Sequence, residues 1–132
     1  EDGMVKNKVV VHFKDDTLVK GMTSDLAPTQ ERFHVTVQGG DIKAVLIKDL
    51  KGLFFVKDFD GNKDYRASYL DDGTIRGHKV KVNFSDGEEV IGFARIYTPD
   101  WPGFFMVPAD KDSNNERIFV VTSACRQVGF MI

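Results

Sequence analysis

The stretch Lys79-Val80-Lys81-Val82-Asn83-Phe84-Ser85-Asp86-Gly87-Glu88-Glu89-Val90-Ile91-Gly92-Phe93 decides the fold, because a second version of it stands earlier in the chain. That version is Lys8-Val9-Val10-Val11-His12-Phe13-Lys14-Asp15-Asp16-Thr17-Leu18-Val19-Lys20-Gly21-Met22. Each reads as a strand with alternate apolar residues (Val9, Val11, Phe13; Val80, Val82, Phe84), an acidic tight turn, and a returning strand holding one glycine. A spacing of 71 positions persists from Gly21/Gly92 to Phe33/Phe104. A spacing of 75 then relates Val45 to Val120 and Leu53 to Val128, so four extra residues lie in the turn Pro108–Asn115. The chain reads as two copies of one small β unit.

Working outward, Leu18–Asp25 is a second strand, with Gly21 where a small barrel bends sharply or lets another backbone approach. Arg32–Gln38 alternates Phe33, Val35 and Val37 with His34 and Thr36, and Gly39-Gly40-Asp41 turns it into a fourth strand, Ile42–Ile47. Lys48–Gly52 is long enough only for a helical turn before a fifth strand, Leu53–Val56. In the second copy, Gly103–Val107 and Arg117–Thr122 are the third and fourth strands, Ser123–Arg126 the short turn, and Gln127–Ile132 the last strand. The expected fold is all-β: two tandem five-stranded barrels, residues 1–56 and 79–132, joined by a charged linker over 57–78 with a short ordered piece around Tyr65–Leu70.

Composition narrows the function classes. Apolar residues make up 42% and charged residues 29%, ordinary for a globular protein and too apolar for disorder. The 11 Phe suit the tapered interiors of small β structures. Formal charge is −2, so no basic excess draws the chain to nucleic acid or an anionic membrane. The single cysteine, Cys125, rules out an intrachain disulfide and makes a reducing, cytoplasmic compartment the default. No apolar run approaches a membrane span. The chain opens on Glu1 and not on Met, in keeping with removal of an upstream segment.

A strand, a tight acidic turn, a strand with a central Gly, two more strands, a one-turn break and a final strand resemble the Sm-like and Src-homology-3-like small barrels. Sm-like proteins that bind RNA carry an Asp-x-φ-x-Asn stretch and a basic Gly-containing turn. The matching places here read Glu31-Arg32-Phe33-His34-Val35 and Lys48-Asp49-Leu50-Lys51-Gly52, or Pro102–Met106 and Ser123–Arg126, so the RNA site is not carried over. Pro102–Asp110 followed by Ser113–Val120 is also similar to an uncharacterised bacterial family, sometimes joined to PilZ-type or response-regulator domains. The PilZ signature itself, Arg-x-x-x-Arg followed by Asp/Asn-x-Ser-x-x-Gly, is absent.

No catalytic motif is present, and no cofactor is expected. Asp58–Asp64 alternates oxygen ligands as calcium loops do, but Lys63 stands where the tight-turn Gly belongs and Tyr69 where the bidentate Glu belongs. Asp110–Glu116 alternates likewise; solvated turn chemistry explains both. His12 and His34 fall on the polar phase of strands that are not neighbours, and His78 ends the linker, which favours surface histidines over a metal site. Cys125 aligns with Leu50 and reads as a small apolar residue.

One anomaly points to a partner. If Phe104, Met106, Ile118 and Val120 face into the second barrel, then Phe105, Val107, Phe119 and Val121 face out, a patch that should not meet water. The first unit, a second copy of the chain or a partner protein must cover it. Trp101 at a loop tip is either a binding anchor or a lid over the barrel end. The expectation is a non-enzymatic interaction module that binds a protein partner, or itself, through Trp101, Phe105, Val107, Asn114, Asn115, Arg117, Phe119 and Val121. Sm-like nucleic-acid binding is the alternative.

Overall fold

The computed structural model describes residues 7–27, 29–57, 77–94, 100–110 and 114–130. They form an all-β structure: β1 (Asn7–Phe13), β2 (Leu18–Thr23), β3 (Arg32–Val37), β4 (Ile42–Leu46), β5 (Leu50–Val56), β6 (His78–Phe84), β7 (Glu89–Ala94), β8 (Gly103–Pro108), β9 (Asn115–Val121) and β10 (Cys125–Phe130). Single 3-10 turns, Ile47–Asp49 and Thr122–Ala124, precede β5 and β10. The expected short turns lay slightly later, at 48–52 and 123–126; the ladder explains the difference, since Leu50 already pairs with Phe13 and Cys125 with Phe84. Apart from Lys57, Gly77 and His78, the expected linker lies outside the described residues.

All ten strands lie in one open antiparallel sheet, ordered β10-β6-β7-β8-β9-β5-β1-β2-β3-β4. Registers in the two halves run in step. Asn7↔Thr23 of β1·β2 corresponds to His78↔Ala94 of β6·β7, and Gly21↔Val37 to Gly92↔Pro108. The irregularity between His12 and Phe13 against β5 has its counterpart between Cys125 and Gln127 against β6. Loop hydrogen bonds match as well: Ile47 N–H donates to Glu31 O and Thr122 N–H to Pro102 O, at 2.9 and 3.0 Å. At the turn tips Asp16 (φ 73°) and Gly87 (φ 99°) take the left-handed conformation that closes a short hairpin. Gly21 admits a neighbouring backbone: a Cβ there would stand 2.5 Å from the Thr36 carbonyl oxygen.

Two apolar cores flank the middle of the sheet. One gathers Phe84, Phe104, Met106, Ile118 and Val120 with Val10, Phe54 and Val56 from the first half. The other gathers Val9, Phe33, Val35, Leu53 and Phe55 with Phe119 and Val121 from the second half. Strands β5 and β9 are therefore buried on both faces, one face to each core, which is why Leu53-Phe54-Phe55-Val56 and Ile118-Phe119-Val120-Val121 are unbroken apolar runs. The cores interlock across the β5·β9 ladder, which pairs Gly52↔Val120 through Phe55↔Arg117.

Candidate functional site

A cleft of about 620 Å³ opens between the two halves. Leu46, Ile47 and Lys48 at the end of β4 form one wall with Glu31; Trp101 and Pro102 before β8, with Val121, Thr122 and Ser123 after β9, form the other. The ladder builds it. Gly103 pairs with Val121 and Thr122 donates to Pro102, so the Trp101 loop is tied to the β9 end, while the equivalent bond from Ile47 to Glu31 fixes the opposite wall. Trp101 and Pro102 are half-buried and Leu46 is 39% exposed, so apolar surface opens to solvent beside one acid and one base.

The expected partner residues separate. Phe119 and Val121 are 0% and 1% exposed and pack into the first core, so that part of the expected outward patch is covered within the chain. Phe105 is half-buried against the same core, its ring 5.1 Å from that of Phe119, and Val107 alone of the four stays open at 40%. Arg117 lies across aromatic rings of its own chain, 4.1 Å from Phe55 and 4.9 Å from Phe105. Asn114 and Asn115 are half-buried beside it, with Asn114 O accepting from Lys57 N–H at 2.8 Å. The pairings Gly103↔Val121 and Met106↔Ile118 put Arg117 level with Val107, six residues along the hairpin from Trp101, roughly 20 Å at 3.4 Å per residue. Trp101 and Arg117 stand at opposite ends of the β8–β9 hairpin.

A smaller cleft of about 210 Å³, lined by Phe13, Lys14, Asp16, Lys51, Ser85, Asp86, Ser123 and Ala124, carries the charged contacts between the halves. Lys14 Nζ donates to Lys48 O and Ser123 Oγ, both at 2.7 Å. Lys51, with only 12% of its side chain exposed, bonds Asp86 at 2.7 Å and also reaches Glu88. Burial pulls the Lys51 ammonium down, but its bonds to the two carboxylates outweigh it and leave the group above its ordinary value. His12 departs from the surface expectation. Its ring is half-buried 4.3 Å from that of Phe54, and burial, helped by Lys51, pushes its pKa down.

His34 is exposed, as expected, and its Nδ1 bonds Asp25 Oδ2 at 2.8 Å. Burial raises the Asp25 carboxyl, yet hydrogen bonds from the His34 backbone, its ring and Thr23 bring it below the ordinary range. His78 is also exposed. Cys125 opens β10, half-buried, and burial pushes its thiol up to about 11. Among the described residues no three His, Cys, Asp or Glu side chains are grouped to hold a metal ion. The loop Asp58–Asp64 and residues 111–113 of the Asp110–Glu116 turn lie outside the described residues. No described helix is long and apolar enough to cross a membrane.

Of the residues lining the cleft, sequence reasoning names only Trp101 and Val121 as a site; Leu46, Glu31 and Lys48 are among those it misses. Leu46 alone gave a signal, an apolar residue on the outward phase of a strand whose inward phase is filled by Val45. No curated protein and no solved structure matches the chain. The model of a family of unknown function (DUF6982) matches residues 5–131, and the chain belongs to that family.

Proposed function

We propose that this chain is a non-enzymatic interaction module of the bacterial cytoplasm, built of two copies of one Sm-like, SH3-like barrel unit, that holds a protein segment in the Trp101 cleft. The matched registers and matched loop hydrogen bonds of the two halves support the two-unit reading. The observation that carries the binding site is the open wall of Trp101, Pro102 and Leu46, flanked by Glu31 and Lys48. An apolar side chain of a partner would seat on the indole and Leu46, and its polar neighbours would meet the two charges. Rigid aromatics supply much contact for little lost side-chain entropy, so Trp101 is the anchor.

The test is capture of partners from the source cell's lysate by wild type, Trp101→Ala and Arg117→Ala. Loss of a partner with Trp101→Ala alone is the expected result, with affinity falling by about 2 kcal/mol, roughly thirtyfold. Equal recovery by wild type and Trp101→Ala refutes the site. Nucleic acid is the weaker alternative, since the formal charge is −2 and the cleft sets Glu31 against Lys48. Short RNA at low salt should show negligible binding; salt-sensitive micromolar binding would overturn the protein-partner reading.

A further inference from the structure

The smaller cleft lies between the β1–β2 and β6–β7 hairpin tips, and each tip is pinned to the 3-10 turn beside it. Lys14 N–H donates to Asp49 O and Ser85 N–H to Ala124 O, both at 2.9 Å. Four charged side chains line the space, Lys14 and Lys51 against Asp16 and Asp86, so its charges balance. Two of them are committed to each other: Lys51 bonds one oxygen of Asp86, whose other oxygen accepts from Glu88 N–H at 3.0 Å. The remaining two are not. Among the described residues Lys14 Nζ meets no carboxylate; it donates to Lys48 O and Ser123 Oγ, both neutral oxygens, and an ammonium has a third N–H to give. The Asp16 carboxylate has no hydrogen bond or ion pair among the described residues, whereas its neighbour Asp15 is taken up by the N–H and hydroxyl of Thr17. One cation and one anion therefore open onto the same small space without a counter-ion.

The second half shows that the turn does not require this pair. By the spacing of 71 positions Lys14 corresponds to Ser85 and Asp16 to Gly87. Gly87 closes its hairpin at φ 99° with no side chain at all; Asp16 closes the equivalent hairpin at φ 73°, where glycine is the less strained choice. The carboxylate is an addition to the turn, and it stands where it borders the cleft.

We propose that this cleft binds a free α-amino acid with a short apolar side chain. Lys14 and the Ser85 hydroxyl hold its carboxylate, Asp16 holds its ammonium, and its side chain rests on Phe13 and Ala124. The volume of about 210 Å³ is that of about seven waters at roughly 30 Å³ each, and lies below the roughly 300–1,000 Å³ of sites for drug-sized ligands. Balanced charge selects a zwitterion, since a phosphate or a dicarboxylate would set like charge against Asp16 and Asp86. Lys14 is already held by two oxygens at 2.7 Å, so little side-chain freedom is lost when its third N–H is taken. The site is independent of the protein-segment reading: of the residues that line the Trp101 cleft, Ser123 alone borders this one.

Amide NMR of the isotope-labelled full chain tests it, with L-valine as the probe. Valine should give saturable shifts confined to the cleft, at the amides of Asp16, Ser85, Asp86 and Ala124. Isovalerate and isobutylamine, which each keep one of the two charges, should bind at least about tenfold more weakly, because each lacks one charge-assisted hydrogen bond. Asp16→Asn, which keeps a residue suited to the left-handed turn, should weaken valine by a similar factor, about tenfold. Lys14→Met should do the same; Lys14 also ties the halves together, so if its amide spectrum shows misfolding, Ser85→Ala on the exposed hairpin tip takes its place and should weaken valine as well. No saturable shift with valine up to about 20 mM overturns the proposal. So does inorganic phosphate or either single-charge analogue binding as tightly as valine, or Asp16→Asn binding it undiminished. Trp101→Ala should leave valine affinity unchanged; if it abolishes the shifts, valine sits in the other cleft and the assignment fails. None of these failures touches capture of a protein segment by Trp101.

Discussion

Phe119 is the residue whose truncation most sharply separates an interlocked sheet from two units with a sticky outer patch. It belongs to β9 of the second half, is 0% exposed, and fills the core of the first half. Gly103 packs against its ring edge and Phe105 meets it edge-on at 5.1 Å, so little can collapse into the space that Phe119→Ala leaves. The expected loss is about 3–5 kcal/mol, the range for a buried Phe whose cavity stays open. Against a typical total of about 5–15 kcal/mol, that is a large fraction, and the urea midpoint should fall accordingly. Val107→Ala, on the same outward phase but 40% exposed, should cost under about 1 kcal/mol. The assay is urea unfolding followed in parallel by far-UV circular dichroism and by emission of the single Trp, residue 101. Interlocked cores predict coincident transitions for the two probes. A Phe119→Ala loss no larger than that of Val107→Ala, or two separated transitions, refutes the shared-core account.

Further outcomes follow from individual side chains. His12, with its pKa lowered by burial, favours its neutral form in the fold; its contribution to stability is present above its ordinary 6.5 and is lost as pH falls below that value and through the lowered folded-state one, so His12→Phe should flatten the decline in urea midpoint between about pH 7 and 5. Cys125, raised to about 11, should react with iodoacetamide at pH 8 at least about tenfold more slowly than free cysteine, and at an equal rate once urea unfolds the chain. Gly21→Ala drives a methyl against the Thr36 carbonyl and should lower stability by about 1–3 kcal/mol in the same unfolding assay.

Alternation made the hairpins legible. Val9, Val11, Val80 and Val82 stand on one phase, each is buried, and the acidic tips at Asp16 and Gly87 turn the chain where turn chemistry required. What alternation cannot show is a second buried face, because a period of two assigns each strand one inside and one outside. Leu53–Val56 and Ile118–Val121 violate that period, and the violation is the trace of a neighbour that exists only once the halves pack. His12, polar in phase, has its ring 4.3 Å from that of Phe54 on the face that the second half covers, and the same neighbour creates the cleft, whose walls at Glu31 and Trp101 have no local pattern linking them. Residues on β5 and β9 consequently answer to two cores at once. A change that suits one, such as enlarging Gly52, whose Cβ would stand 3.1 Å from Phe119 O, must be accommodated by the other. The ladder that joins the halves should therefore tolerate fewer substitutions than the outer strands β3 and β7, which each serve a single core.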